Sequence, residues 1–373
     1  MSTKFSKAAG IRERKSSLPI TAFAISAGVL MFLAVSAAGW YWYQSTQMLT
    51  VEPAPASELV LSDLMGSIYF SAAPTNDPDR SVIHTYELAL SNNENNVTSL
   101  FYDYPSYSHS EISDDLLVGM FFYNEEVFDK ALQPSLLNLE DNTFAPLPSV
   151  ADVTDMNVVV SGKNSPYYAY TYFTEALMTT MQEPEPDRLA LELIGGNNIA
   201  VHALNAPNTE PLLEVFDAIN PVFVNDGGNL LYMRFDGIYT FDLTTGEESL
   251  LIESPVEPLT ILDSFTLADD GMTIMLLLYS ENQFLQYQKN ETQFSLVNTF
   301  TGLDPYGYAN PLISPDGSMF AMQRYDHSTG NIEVQSTQFE IEFRSMQDGS
   351  VVDEKTITGF AVDSVTIGTW RNF

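Results

Sequence analysis

Two series of β-hairpin signals run in phase along this chain, and together they constrain its fold more than any other feature. The clearest copy of the first is Gly237–Glu253, GIYTFDLTTGEESLLIE. Its opening half alternates sides at period two, Thr244-Thr245-Gly246-Glu247 supplies turn chemistry, and a second β-prone run follows, which reads as a β-hairpin. Thr85-Tyr86-Glu87-Leu88 repeats the threonine, aromatic, acid, leucine order of Thr240-Phe241-Asp242-Leu243. Looser copies, each entering a polar turn, are Leu137-Asn138-Leu139, His202-Ala203-Leu204, Gln286-Tyr287-Gln288 and Phe343-Arg344-Ser345-Met346. In the second series an acidic or glycine turn leads into a β-rich run. Such turns stand at Asp63-Leu64-Met65-Gly66, Asp114-Asp115, Ser161-Gly162, Asp226-Gly227-Gly228, Asp270-Gly271 and Asp316-Gly317. An Asp-Gly pair of this kind is turn chemistry, with glycine taking a positive φ.

Two hairpins in every ~50 residues mean four strands per unit, the pattern of a β-propeller, whose four-stranded blades stand radially around a channel. The predicted fold is therefore all-β, a six-bladed β-propeller, with seven blades as the alternative. The expected blades are 58–101, 102–149, 150–215, 216–253, 254–300 and 301–357. Gly359–Trp370 is left over, and it is the natural strand to close the ring by pairing with the 59–70 region. A short helical run is expected at Thr174–Gln182, inside the long third unit.

Leu312-Ile313-Ser314-Pro315-Asp316-Gly317-Ser318-Met319-Phe320-Ala321-Met322 resembles the repeat of TolB-type propellers, in which a Ser-Pro-Asp-Gly turn joins the innermost two strands. Gly237–Glu253 is similar to the outer hairpin of that repeat, and Gly66–Ser71 to its second strand. Residues 302–357 carry a nearly full repeat; elsewhere the turn is reduced to Ala268-Asp269-Asp270-Gly271 or Asn225-Asp226-Gly227-Gly228. The resemblance extends from about Glu58 to the end. It implies a propeller scaffold of a kind commonly used to bind other proteins, with the repeat residues themselves structural.

Ahead of the repeats, Leu18–Ala38 is a run of 21 residues without a charge, followed by Trp40-Tyr41-Trp42-Tyr43. A helix of that length spans about 31 Å, matching a hydrocarbon core of ~30 Å, and the aromatic cluster falls where an interfacial belt belongs. Lys4, Lys7, Arg12, Arg14 and Lys15 all precede the run, so the positive-inside rule places residues 1–17 in the cytoplasm. Residues 18–43 are then a transmembrane helix, 44–57 a Pro/Ala linker, and 58–373 an extracytoplasmic propeller, periplasmic or at the cell surface. The alternative is a cleaved signal, for which Val35-Ser36-Ala37 loosely resembles a small-residue cleavage site, although the run exceeds an ordinary h-region.

Charge narrows the partners. The chain carries 49 acidic and 15 basic residues, a net of −34, and no cysteine. Five of the basic residues precede the apolar run, leaving 10 basic against 48 acidic residues from Gln44 onward. Such a surface repels phosphate backbones, which excludes nucleic acid, and favours a protein partner of basic character. Without cysteine there are no disulfides, thiolate metal sites or cysteine nucleophiles.

The expected partner-binding face is the one formed by the second-to-third-strand turns and the connections between blades. Two of those connections are rich in tyrosine, a rigid contact residue of binding surfaces. They supply Tyr102, Tyr104, Tyr107 and His109 on one side, and Tyr306 and Tyr308 on the other. The alternative for these tyrosines is packing between blades. Asp77-Pro78-Asp79 offers alternating oxygen ligands, so Asp77 and Asp79 form a candidate calcium loop, although the glycine and terminal acid of an EF-hand are missing. No other cofactor is indicated. His84, His109, His202 and His327 are dispersed, and no G-x-S-x-G elbow, P-loop or G-x-G-x-x-G occurs. Arg234 and Arg324 read as isolated. The expectation is a protein-binding or scaffolding module of the cell envelope. The rival is a propeller hydrolase acting on a sugar or lactone through carboxylates or a metal in the channel.

Overall fold

A computed structural model describes residues 64–371, apart from 76–83, 91–95, 100–105, 114–115, 122–132, 139, 142, 151–155, 163, 176, 178, 180–193, 206–209, 225–226, 257, 292, 304–305, 327–337 and 361–364. The predicted transmembrane helix, its linker and the candidate calcium loop lie outside these residues. Among the described residues no helix is long and apolar enough to cross a membrane.

Blade 1 begins with β1 (Ser67–Ala72), β2 (His84–Ala89) and β3 (Asn96–Ser99). Blade 2 is β4 (Ser106–Ser113), β5 (Leu116–Phe121), β6 (Gln133–Asn138) and β7 (Thr143–Pro146). Blade 3 is β8 (Met156–Ser161), β9 (Tyr167–Phe173), β10 (Asn197–Ala203) and β11 (Leu213–Phe216). Blade 4 is β12 (Ile219–Val224), β13 (Asn229–Arg234), β14 (Gly237–Asp242) and β15 (Glu248–Glu253). Blade 5 is β16 (Ser264–Leu267), β17 (Thr273–Leu278), β18 (Gln283–Asn290) and β19 (Gln293–Thr301). Blade 6 is β20 (Tyr306–Ile313), β21 (Met319–Asp326), β22 (Gln338–Ser345) and β23 (Val351–Thr358), and β24 (Thr366–Arg371) follows.

Among the described residues the sheets are six, each of four strands paired in order, and β24 lies inside β1 to complete blade 1. The pairing is antiparallel, from Ser67↔Arg371 to Ser71↔Thr366. The tail closes the ring as its sequence indicates. Trp370 Nε1 donates to Met65 O at 3.1 Å, and Thr75 N to Gly359 O at 2.8 Å, so both flanks of the seam are tied. The expected helical run is present in part, with Glu175, Leu177 and Thr179 helical and Thr174 Oγ1 accepting from Leu177 N.

Because each sheet is covered on both faces by its neighbours, second strands read as unbroken apolar runs rather than alternating ones. Thr273–Leu278 (TIMLLL) is buried after its first residue. The cores lie between blades. Phe70, Phe339, Phe343 and Trp370 join blades 1 and 6, and Phe284, Phe300, Tyr308 and Phe320 join blades 5 and 6. Edge-to-face contacts at 5.2 Å (Phe70–Phe339) and 5.4 Å (Phe343–Trp370) fill the first of these.

The innermost strands are irregular. Register slips by a residue in β4, β8, β12, β20 and β24. In β12 and β20 the slip falls on Asn220-Pro221 and Asn310-Pro311, with the asparagines at φ 53° and 52°. Proline fits there because a bulge on a channel-facing edge needs no ladder N–H.

Close approach between blades depends on glycine at particular turns, Gly227 against Ser165 and Gly349 against Phe300. Gly227, at φ +87°, faces Ser165 of the neighbouring blade, and a Cβ there would lie 2.8 Å from Ser165 Cβ and closer still to its Oγ. Gly317, at φ +71°, has open space around it. Gly317→Ala should therefore cost about 1 kcal/mol, from the left-handed backbone alone. Gly227→Ala should cost about 1–3 kcal/mol more from overpacking. Urea midpoints of the two variants check the order; equal midpoints would show that blades 3 and 4 can separate without loss.

Candidate functional site: the channel and the face of the blade connections

One residue from each innermost strand, Ser110, Ser161, Val222, Thr266, Leu312 and Thr369, lines a central cavity of about 780 Å³. At the end where first and second strands meet, Asp269, Asp270 and Arg371 join the lining. These groups are engaged locally. Asp270 Oδ1 accepts from Met272 N at 2.8 Å, closing its own turn. Arg371 stacks on Tyr69 with its guanidinium 5.3 Å from the ring centroid and donates to the phenol oxygen at 3.4 Å. Ser110 Oγ donates to Ser161 O at 2.8 Å. The walls are thus aliphatic and hydroxyl-bearing, and among the described residues no group of three His, Asp or Glu side chains is placed to hold a metal.

The turn aspartates are structural. Hydrogen bonds from the Thr245 and Thr244 amides hold the Asp242 carboxyl below its usual range. At Asp316 burial acts in the opposite direction, and hydrogen bonds from Ser314 and Ser318 outweigh it. Asp348 is held low by the hydroxyl and amide of Ser350. Each carboxylate accepts from groups two or three residues on, the Asx geometry that fixes a turn.

Blade 6 contains a buried ionic network. Arg324 donates to Glu340 (2.5 Å), Glu342 (2.8 Å) and Glu354 (2.7 Å), and Arg344 Nε to Glu342 at 2.5 Å. Arg344 Nη1 also reaches Thr301 O at 2.9 Å, crossing to blade 5. Burial works against the Arg324 cation, but the three carboxylates raise its pKa above the ordinary arginine value. Arg324 is therefore the hub of the network and not an isolated charge. Arg234 is not isolated either, since it pairs with Glu248 at 3.0 Å and stacks over Tyr232 and Tyr239. The spacing Glu340-x-Glu342-x-Arg344 was the available signal, because period two places all three on one face of β22. Arg324 sits directly opposite Glu340 and Glu342 opposite Glu354.

The sequence-predicted face residues fare unequally. Tyr102, Tyr104, Asp77 and Asp79 lie outside the described residues. Tyr107 and His109 belong to β4, and their side chains also lie outside. Tyr306 opens β20, half-buried, with the Arg324 guanidinium 4.4 Å above its ring. Tyr308 is a correction: it is fully buried, its hydroxyl between Leu303 N, Glu342 and Arg344. Its neighbour Gly307 reads as loop chemistry, but β20 runs through Tyr306, Gly307 and Tyr308, so Tyr308 packs between blades.

Exposed apolar side chains also stand at that end. Phe216 (60% exposed) ends β11, Phe235 (55%) turns β13 into β14, Ile261 and Leu262 connect blades 4 and 5, and Leu303 connects blades 5 and 6. The topology puts all five at the same end of the propeller. Leu259 N donates to Phe235 O at 2.9 Å, joining two of these segments, and Asn220 Nδ2 reaches Asp263 O at 3.3 Å beneath them.

His202 is a buried site that sequence reasoning left unassigned. Its ring packs against both Tyr168 and Tyr170, at centroid distances of 5.3 and 5.5 Å, with Nε2 3.1 Å from Tyr170 Oη and Nδ1 unpartnered. Burial lowers its pKa from the ordinary value, with Glu214 opposing. The folded state keeps the imidazole neutral at a pH where the unfolded chain takes up a proton. Stability is therefore fully present above about pH 6.5 and is lost as pH falls through that value toward the lower folded-state pKa. In urea melts from pH 7.5 to 5, His202→Gln is expected to flatten this dependence relative to wild type; an unchanged slope would assign it elsewhere.

No family model matches the chain, and no curated protein sequence matches it. Solved structures do match as folds. A putative 6-phosphogluconolactonase from Bacteroides uniformis superposes with a TM-score of 0.51 at 12% identity, over 81% of this chain and 99% of that one. A periplasmic gluconolactonase from Pseudomonas aeruginosa gives 0.51 at 10%, over 82% and 98%. A chain of a nidogen/laminin complex gives 0.52 at 9%, over 82% and 97%. At these identities the likeness shows the propeller fold, which hosts unrelated functions.

Proposed function

We propose that the chain is a membrane-tethered, extracytoplasmic propeller whose role is to hold a partner protein on the face of its blade connections. The observation that carries this reading is the set Phe216, Phe235, Ile261, Leu262 and Leu303, exposed together at one end of blades 3 to 6. Exposed apolar side chains gathered at one end of a soluble body mark an interaction site more often than isolated ones do. The tether rests on Leu18–Ala38 and the basic residues before it. Crosslinking and capture of the full chain in its native membrane should recover one partner protein, and Phe235→Ser with Leu262→Ser should reduce its recovery at least tenfold. Recovery of no specific partner would overturn the reading. Mass spectrometry of the native chain should find the N-terminus at or near Met1; a start near Ala38 would remove the tether.

A second reading draws on the ligand-sized cavity and on the lactonases whose fold it shares. It makes the chain a lactone or sugar hydrolase, with Asp269 and Asp270 at the channel mouth. Gluconolactone hydrolysis by the purified chain, lost in Asp269→Asn or Asp270→Asn, would establish it; the binding reading expects no acceleration.

A further inference from the structure

We infer that the segment received by this face is a basic, amphipathic stretch of polypeptide, an inference that rests on the binding reading above. The apolar set has acidic neighbours. Asp217 follows Phe216, Asp236 follows Phe235, Glu253 ends β15 at the same end of the propeller, and Glu281 lies in the turn from β17 to β18. Asp217, Glu253 and Glu281 are exposed and Asp236 is half-buried. Among the described residues, the arginines whose strands run to this end, Arg234 and Arg324, are each bound to glutamate. The face therefore offers apolar contact area inside a field of one sign.

A purely apolar partner would leave these carboxylates to be desolvated without compensation, which is costly. An acidic partner would meet like charge at these carboxylates, on a chain with a net charge of −34. A strand of nucleic acid is excluded for the same reason. A segment carrying Leu- or Phe-type side chains along one side and Lys or Arg along the other satisfies both components. The apolar stripe covers Phe216, Phe235, Ile261, Leu262 and Leu303, and the cations reach the flanking carboxylates at the rim, where they speed encounter more than they tighten the complex.

The test uses the full chain in detergent and three synthetic peptides of about five helical turns. One is a Leu/Lys amphipathic sequence, one replaces Lys by Glu, and one is a Lys/Ser sequence of the same charge without an apolar side. The Leu/Lys peptide is expected to bind, at least tenfold more tightly than the Lys/Ser peptide, and to weaken as salt is raised. Phe235→Ser with Leu262→Ser should weaken it at least tenfold while leaving the urea midpoint unchanged. Leu296→Ser with Val297→Ser, on the outer strand β19, should bind as wild type does. Equal binding of the Leu/Lys and Lys/Ser peptides, or wild-type affinity in the Phe235/Leu262 variant, overturns the inference. Failure here is separable from failure of the binding reading: native-membrane capture of a partner by the same chain would persist if the partner were of another chemistry.

Discussion

Ending the chain at Val365 is expected to leave a protein with no cooperative unfolding transition. The truncation removes β24, and with it every backbone partner of the inner edge of β1. It also removes Trp370, which is buried against Phe343 in the core between blades 1 and 6. Trp370→Ala alone should cost about 3–5 kcal/mol, the usual cost of deleting a large buried aromatic. Marginal stability of about 5–15 kcal/mol in domains generally leaves little room for losing the rest of the strand as well. Circular dichroism during a urea titration checks this directly. A truncated chain with the wild-type midpoint would show that the ring does not need its seam.

The second large effect lies in blade 6. Glu342 is fully buried and accepts from two guanidiniums at once, Arg324 at 2.8 Å and Arg344 at 2.5 Å. Glu342→Gln keeps the shape but removes the charge, leaving two buried cations sharing fewer carboxylates. Breaking a buried pair in this way costs about 3–5 kcal/mol. Glu354 binds the same Arg324 from a side chain that is 46% exposed. Water already screens that pair, so Glu354→Gln should cost about 1 kcal/mol or less. Equal losses in the two variants, read from urea melts at neutral pH, would mean that burial does not set the strength of this network. Since Arg344 also holds Thr301 O, the Glu342 variant should loosen the joint between blades 5 and 6. Hydrogen exchange in β19 and β20 would report that loosening.

The propeller was legible because its second and third strands are covered on both sides and so carry the strongest patterns. The six copies of the first hairpin series begin on or beside β2, β6, β10, β14, β18 and β22, the third strand of each blade. The turns of the second series lead into β1, β5, β9, β13, β17 and β21, the second strands. The innermost strands were harder to read, because bulges and prolines are tolerated along a channel edge. Ile219-Asn220-Pro221-Val222 and Ala309-Asn310-Pro311-Leu312 stand at the same place in their repeats, yet proline there looks like an interruption of the strand. Tyr308 was misplaced for the same reason. For the face proposed to bind a partner, topology could be inferred from the repeats but exposure could not. Phe216 and Phe235 are ordinary hydrophobic residues at strand ends, and only the packing around them determines that they face outward.

The seam also sets a schedule. The innermost strand of the first blade is made after all the other propeller strands described, and Trp370 meets Met65 across 305 residues of sequence. Blades 2 to 5 can assemble while the chain is still growing, but blade 1 must wait with an unpaired edge beside an uncovered core. Maturation thus includes a stage in which five blades and a fragment are present and β24 is awaited. Exposed edges of that kind attract other chains, so the interval between synthesis of blade 6 and arrival of the tail is when this protein is most exposed to misassembly and most dependent on protection.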